Sequence, residues 1–249
     1  MPSEKAETTP VLTLDRLQPG YMGKPILPPC SVVLGRAEVW ALVGRNGSGK
    51  SSLMRTLVGT QPAVAGTFTW APGVKVSWVP QRDAVDTAVP MRVVDVVQSG
   101  LDRGWSLLRP RLRADQRRNV TDMIALTELE PLAKQQFSTL SEGQKQRALM
   151  ARALVSNPDV LLLDEPTSAM DPMNESATLK FVDQMRRTRG VTVVLASHHA
   201  QVIPSFAEGA IFLDREDQVA LAGPVAEVIA SAPFLARYGD VDCFHTEGH

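Results

Sequence analysis

One octapeptide constrains this chain more than any other feature. Gly44-Arg45-Asn46-Gly47-Ser48-Gly49-Lys50-Ser51 fits the pattern G-x-x-x-x-G-K-[ST]. Ahead of it, the apolar and β-branched runs Val32 to Leu34 and Glu38 to Val43 read as strands. After it, Leu53, Met54 and Leu57 recur at helical spacing and predict a helix from Lys50 to about Val58. Strand, glycine-rich turn and helix in that order suit a phosphate-binding loop. Glycines let successive backbone N–H groups curl around phosphate oxygens, and the helix start adds roughly half a positive charge. Lys50 is then expected to neutralise outer phosphates, while Ser51 offers a hydroxyl to Mg²⁺.

The remaining elements are read around that loop. Gly66 to Trp70 and Val74 to Val79 look like two short strands joined by the Ala71-Pro72-Gly73 turn, which predicts a hairpin. From about Met91 to Leu154 the pattern turns helical. Its apolar faces carry Val93, Val96 and Val97, then Val120, Met123 and Ile124, then Leu149 to Leu154. Continuous apolar runs return at Val160 to Leu163 and Val191 to Ala196, as central parallel strands covered on both faces require. Further strand and helix signals occupy Ala210 to Tyr238. The expected class is α/β: a mixed, mainly parallel sheet with helices on both faces, plus a small antiparallel β subdomain. A helical subdomain, 91–155, is inserted between core segments 10–90 and 156–240, with 1–9 and 241–249 as flexible ends.

Composition removes several function classes. The 26 Lys and Arg against 27 Asp and Glu give a formal charge of -1, so no overall field favours nucleic acid or an anionic membrane. No apolar run approaches the ~18 residues of a membrane-spanning helix, and the polar start MPSEKAETTP lacks a secretion signal's apolar core. Any membrane role is therefore expected to be peripheral, through a partner. Cys30 and Cys243 match no metal or redox spacing and suit a reducing compartment. His198 and His199 are adjacent rather than helically spaced, and Cys243, His245 and His249 read as a frayed tail, so no metal-ligand cluster is expected.

Two further segments carry chemistry. Val160-Leu161-Leu162-Leu163-Asp164-Glu165 sets two carboxylates where a buried strand emerges, the place where open α/β sheets bind ligands. Asp164 suits a Mg²⁺ shell, and Glu165 could orient and deprotonate an attacking water if partly desolvated. Leu140-Ser141-Glu142-Gly143-Gln144 opens a helix, with Ser141 and Gln144 at capping-box spacing. Such a helix start is also an anion site, because its first N–H groups lack intrahelical partners.

These motifs, in this order, resemble the ATP-binding subunits of ABC transporters across nearly the whole chain. Gly44 to Ser51 is similar to the Walker A loop, followed by Ser52; Gln81 resembles the Q-loop, Leu140 to Gln144 the signature, and Val160 to Glu165 the Walker B strand and its glutamate. Ser168-Ala169-Met170-Asp171 resembles the D-loop, His198 the switch histidine, and Tyr21 the aromatic that stacks on adenine. The resemblance implies a P-loop NTPase core and ATP hydrolysis with Mg²⁺, with Gln81 joining Ser51 and Asp164 at the cation and His198 meeting the γ-phosphate. It also implies a head-to-tail pair of copies. Each nucleotide would be held between one copy's phosphate loop and the other's Ser141, Glu142, Gly143 and Gln144. The family's commonest signature has glycine where Glu142 stands, and this side chain is expected to point outward.

The same resemblance implies a permease partner, a place on the cytoplasmic face of the membrane, and indirectly a substrate-binding protein. Asp86, Pro90, Val94-Asp95-Val96-Val97, Gly100, Gly104-Trp105 and Arg109-Pro110 look like the pattern in subunits of zinc and manganese importers. Gln98-Ser99-Gly100-Leu101 departs from it by lacking the arginine common after the glycine. The alternatives are an ABC ATPase serving another cargo, or a soluble one acting outside transport. A single set of motifs argues against the latter, and the absence of an N-K-x-D stretch argues against a GTPase.

Overall fold

The structure is a computed structural model that describes residues 9–81, 91–101, 112–166, 172–198 and 200–239. Its strands and helices run β1 (Pro10–Gln18), β2 (Gly20–Tyr21), β3 (Lys24–Pro25), β4 (Cys30–Gly35), β5 (Val39–Val43), α1 (Lys50–Val58), β6 (Ala65–Trp70) and β7 (Val76–Val79). Then come α2 (Val93–Ser99), α3 (Ala114–Leu126), α4 (Glu142–Leu154), β8 (Val160–Asp164), α5 (Pro172–Arg189) and β9 (Thr192–Ser197). The last described elements are β10 (Gly209–Asp214), β11 (Val219–Pro224), α6 (Val225–Ile229) and α7 (Ala232–Tyr238).

The strands form a six-stranded sheet of order β11-β10-β5-β9-β8-β7, a three-stranded sheet β4-β1-β6, and the small pair β2-β3. In the larger sheet β10, β5, β9, β8 and β7 are parallel to their neighbours, and only β11 runs antiparallel, on β10. Because side chains alternate across a strand, one run of apolar residues feeds two cores. Ala41, Leu161, Leu163, Val193, Leu195 and Phe212 pack with α2, α3, α4 and the carboxy-terminal helices. Their neighbours Leu42, Leu162, Val194 and Ile211 pack with Leu53, Met54 and Leu57 of α1 and with Leu12, Leu14 and Leu34 of the smaller sheet. The continuous apolar strands read from sequence are thus covered on both faces.

The expected hairpin at residues 66–79 is not formed. β6 pairs antiparallel with β1 in the three-stranded sheet, whereas β7 lies parallel to β8 at the edge of the six-stranded one. The Ala71-Pro72-Gly73 turn does form, with Val74 N–H bonded to Ala71 O, but it carries the chain from one layer to the next. A short Pro-Gly turn permits either course, and the partners waiting on β1 and β8 decide. The sequence reading also passes over β1, whose apolar residues are interrupted by Thr13, Asp15 and Arg16.

The helical faces behave as their spacing predicts, since Val93, Val96, Val97, Val120, Met123 and Ile124 are buried. None of the helices among the described residues is long and apolar enough to cross a membrane. Of the importer-like pattern, Val94 to Val97 lie on α2, while Asp86, Pro90, Gly104, Trp105, Arg109 and Pro110 lie outside the described residues. Cys243, His245, His249 and the expected flexible ends, apart from Thr9, also lie outside them.

Candidate functional site

Four parallel strands end on the same edge of the large sheet, and a candidate site residue follows each. Gly44 follows β5, Gln81 lies just beyond β7, Glu165 follows β8, and His198 follows β9. Their registers pair Val43 with Ser197 and Asp164 with Ala196, so the exits stand side by side. This is the carboxyl-end crevice of an open α/β sheet.

The loop after β5 is shaped by glycines. Gly49 has φ +106, and a Cβ there would lie 2.9 Å from Leu27 Cδ1, so a side chain would be both strained and obstructed. Lys50 opens α1 with its side chain folded under the loop. Its Nζ donates to Gly44 O at 2.6 Å and Arg45 O at 3.0 Å, and stands 3.1 Å from Glu165 Oε1. The Lys50 side chain is 4% exposed and that of Glu165 10%, so the two charges neutralise each other away from bulk water.

Asp164, the last residue of β8, is buried, and Ser51 Oγ donates to its Oδ1 at 3.3 Å. Burial raises the Asp164 carboxyl above the ordinary aspartate range, and the charge of Glu165 adds to this; Ser51, Lys50 and Arg55 oppose it. Glu165 leaves the strand with φ +50, a left-handed conformation that costs a non-glycine residue about 1–2 kcal/mol. Its amide donates to Ala196 O on β9, which holds that bend. Glu165 Oε2 accepts from Gln81 Nε2 at 3.4 Å and lies 3.6 Å from His198 Nδ1. One carboxylate therefore joins residues from four segments of the chain.

A cavity of about 590 Å³ opens over this cluster and runs past Asn46, Gly47 and Ser52 to Tyr21 and Ile26. Tyr21, on β2, is 66% exposed and lines the same cavity. A triphosphate fits the donors present: a loop of backbone amides, the Lys50 ammonium, and the buried Ser48 Oγ, which has no hydrogen-bond partner among the described residues. The Ser51 hydroxyl beside the Asp164 carboxylate is an oxygen donor set of the kind a hard divalent cation takes. A larger cavity, about 680 Å³, lies between α5 and Phe206, remote from these strand ends; its Arg186 is taken up by Asp183 and Glu208.

The signature residues stand apart from the Lys50 cavity. Ser141 caps α4, its Oγ accepting from Gln144 N–H while Ser141 N–H donates to Gln144 Oε1 at 2.9 Å, which is the expected capping box. Glu142 is 54% exposed and pairs with Lys145 at 2.8 Å, and Gly143 lies on the first turn between them. Ser168 and Asp171 lie outside the described residues. Sequence reasoning missed Arg215, which lines the same cavity as Tyr21 and Lys50, and Ile26 beside it. In sequence, Asp214-Arg215-Glu216-Asp217 has the look of an ordinary solvated turn, and nothing local marks it.

Residues 27–168 match the family model described as ABC transporter. The chain is 34% identical to the zinc import ATP-binding protein ZnuC of Jannaschia sp. (strain CCS1), over 92% of this chain and 88% of that one. It is 33% identical to the hemin import ATP-binding protein HmuV of Thermobifida fusca (strain YX), over 92% and 82% of the two chains. In fold it is similar to a chain of an ABC transporter in an inward-facing conformation, with TM-score 0.81 and 24% identity over 95% and 90% of the chains. It is also similar to a nucleotide-free ATP-binding cassette from an ABC transporter, with TM-score 0.76 and 16% identity over 91% and 98%. The matched family region contains the phosphate loop, Gln81, the capped start of α4 and the Asp164-Glu165 pair, and the chain belongs to the ABC transporter family as one of its ATPase subunits.

Proposed function

We propose that two copies of this ATPase subunit close head to tail on ATP and Mg²⁺ at the cytoplasmic face of a membrane permease. Their cycle would drive import of a metal ion such as zinc or manganese, or of a metal chelate. The observation that carries the chemistry is the convergence of Lys50, Gln81 and His198 on the single carboxylate of Glu165. Lys50 is placed to exchange that carboxylate for the outer phosphates of ATP. Glu165, released from its cation, then orients water and takes its proton at Oε2, with Gln81 and His198 fixing the carboxylate. Ser51, Asp164 and Gln81 would hold Mg²⁺, which when bound supplies positive charge to the phosphate oxygens. His198 contacts the γ-phosphate, and Tyr21 stacks on adenine.

The start of α4 is the other half of the device. The Ser141 hydroxyl, the Gly143 amide and the Gln144 side-chain amide are offered to the γ-phosphate bound by the opposite copy, so nucleotide bridges the two and hydrolysis removes the bridge. Glu142 lies in that turn with its charge directed to Lys145. Ser168 and Asp171 are assigned to the contact between copies. Residues 91–155 act as a helical arm on the nucleotide core, and the segment between Gln81 and Pro110 is the place for the permease. A substrate-binding protein enters only through that permease, and the near-neutral chain is assigned no nucleic-acid partner.

The zinc reading is supported by the name of the Jannaschia relative, and the hemin reading by the similarly distant Thermobifida one. The test is light scattering on the Glu165→Gln variant with ATP and Mg²⁺, with and without a candidate permease partner, followed by uptake of labelled zinc and of hemin by the reconstituted complex. A strictly monomeric variant in both conditions overturns the paired mechanism. Hemin uptake without zinc uptake replaces the cargo.

A further inference from the structure

The turn between β10 and β11 forms a wall of the nucleotide cavity that no motif marks. Asp214 Oδ1 accepts from the amides of Glu216 at 2.9 Å and Asp217 at 3.2 Å, which fixes the turn from within. From α7, Arg237 reaches Asp214 at 2.6 Å, Glu216 at 3.1 Å and Asp217 at 2.8 Å. Glu216 also stands 3.6 Å from Arg45 of the phosphate loop. Every carboxylate of the turn is thus engaged by an arginine from elsewhere, whereas Arg215 forms no ion pair among the described residues.

The position of Arg215 along the cavity follows from Gln218. Its Nε2 donates to Arg215 O at 2.8 Å and to Ile26 O at 3.4 Å, which ties the backbone of Arg215 to the segment just after Tyr21. Arg215 lines the cavity shared with Tyr21, Ile26 and Lys50, and also the adjoining one of about 410 Å³ beside Asn46 and Gly47. That places it beside Asn46 and Gly47 of the phosphate loop, in a cavity whose wall also includes the aromatic Tyr21. A planar, weakly hydrated guanidinium with no carboxylate partner among the described residues is suited to lie on the π-face of a base.

We infer that Arg215 is a nucleotide-contacting residue of the cavity it shares with Tyr21, its guanidinium laid against the purine ring. The inference rests on the ATP reading above. Its test is calorimetric titration of the full-length chain, as wild type, Arg215→Ala and Arg215→Lys, with ATP, ADP and inorganic tripolyphosphate.

For Arg215→Ala, affinity for both ATP and ADP is expected to fall about three- to thirtyfold, the range of a cation–π contact, with tripolyphosphate binding unchanged. Arg215→Lys is expected to recover part of the loss. Wild-type affinity for ATP in the alanine variant overturns this inference and leaves the ATP reading standing. An equal loss for tripolyphosphate also overturns it, because the guanidinium would then serve phosphate. Failure of the wild type to bind ATP overturns both. The Arg215 side chain is exposed, so the alanine variant is expected to melt with the wild type, and melting followed by circular dichroism accompanies the titrations.

Discussion

Lys50 Nζ and Glu165 Oε1 stand 3.1 Å apart with little access to water, so the phosphate-loop cation and the strand-end carboxylate stabilise each other's charge. Removing one partner strands the other. Lys50→Ala is expected to lose nucleotide binding and to destabilise the fold by about 3 kcal/mol, whereas Glu165→Gln keeps binding and loses turnover about a hundredfold or more. The double variant should recover most of the lost stability, because no carboxylate is then left unpaired. Urea unfolding of all four proteins, together with ATP titration, checks the cycle.

Asp164 sits in a place that resists its charge. A carboxyl raised by folding binds its proton more tightly in the native state than in the unfolded one. Its charge therefore costs stability at neutral pH, and the cost disappears as pH falls through the folded value. Asp164→Asn, which can still accept from Ser51, is expected to melt about 2–4 °C above the wild type at pH 7. The gap should narrow on acidification, and the Mg²⁺ dependence of ATP binding should be lost. Calorimetry between pH 7 and pH 4 is the measurement, and a lower melting temperature for the variant at pH 7 would contradict this account.

Arg237 lines neither of the cavities beside the phosphate loop. Its three carboxylate partners define the β10–β11 turn, and Glu216 passes that order on to Arg45. Arg237→Ala should weaken ATP affinity several-fold and lower the melting temperature. Arg237→Lys should recover little, since an ammonium cannot span three acceptors as a guanidinium does. ATP titration and denaturation of both variants distinguish positioning from simple packing.

Cys30 is a buried free thiol whose pKa burial pushes to about 11. At pH 8 it is almost wholly protonated, and it should resist iodoacetamide in the native protein yet react fully in urea. Peptide mass spectrometry reads the difference.

The parts of the site written in one stretch were legible in the sequence, because local order dictates them. The loop ahead of Lys50, the Asp164-Glu165 strand end and the Ser141-Gln144 cap are each specified within about eight neighbouring residues. Long-range relationships were not legible. The choice of β1 for β6 and of β8 for β7 depends on partners far along the chain. The left-handed bend at Glu165 has no glycine or asparagine to announce it, and it is held by Ala196 on another strand. Arg215 reaches the cavity because α7 clamps its turn, which no local pattern encodes.

The strand order carries a last implication for how the protein is made. β9 lies between β5 and β8, so the loop of Lys50 and the carboxylate of Glu165 cannot be neighbours until residues 192–197 have emerged and inserted. A chain still on the ribosome and shorter than this holds both halves of the site without joining them. On the proposed mechanism, competence to consume nucleotide is thereby deferred until β9 has entered the sheet, and that strand serves as an assembly checkpoint for the Lys50 and Glu165 cluster.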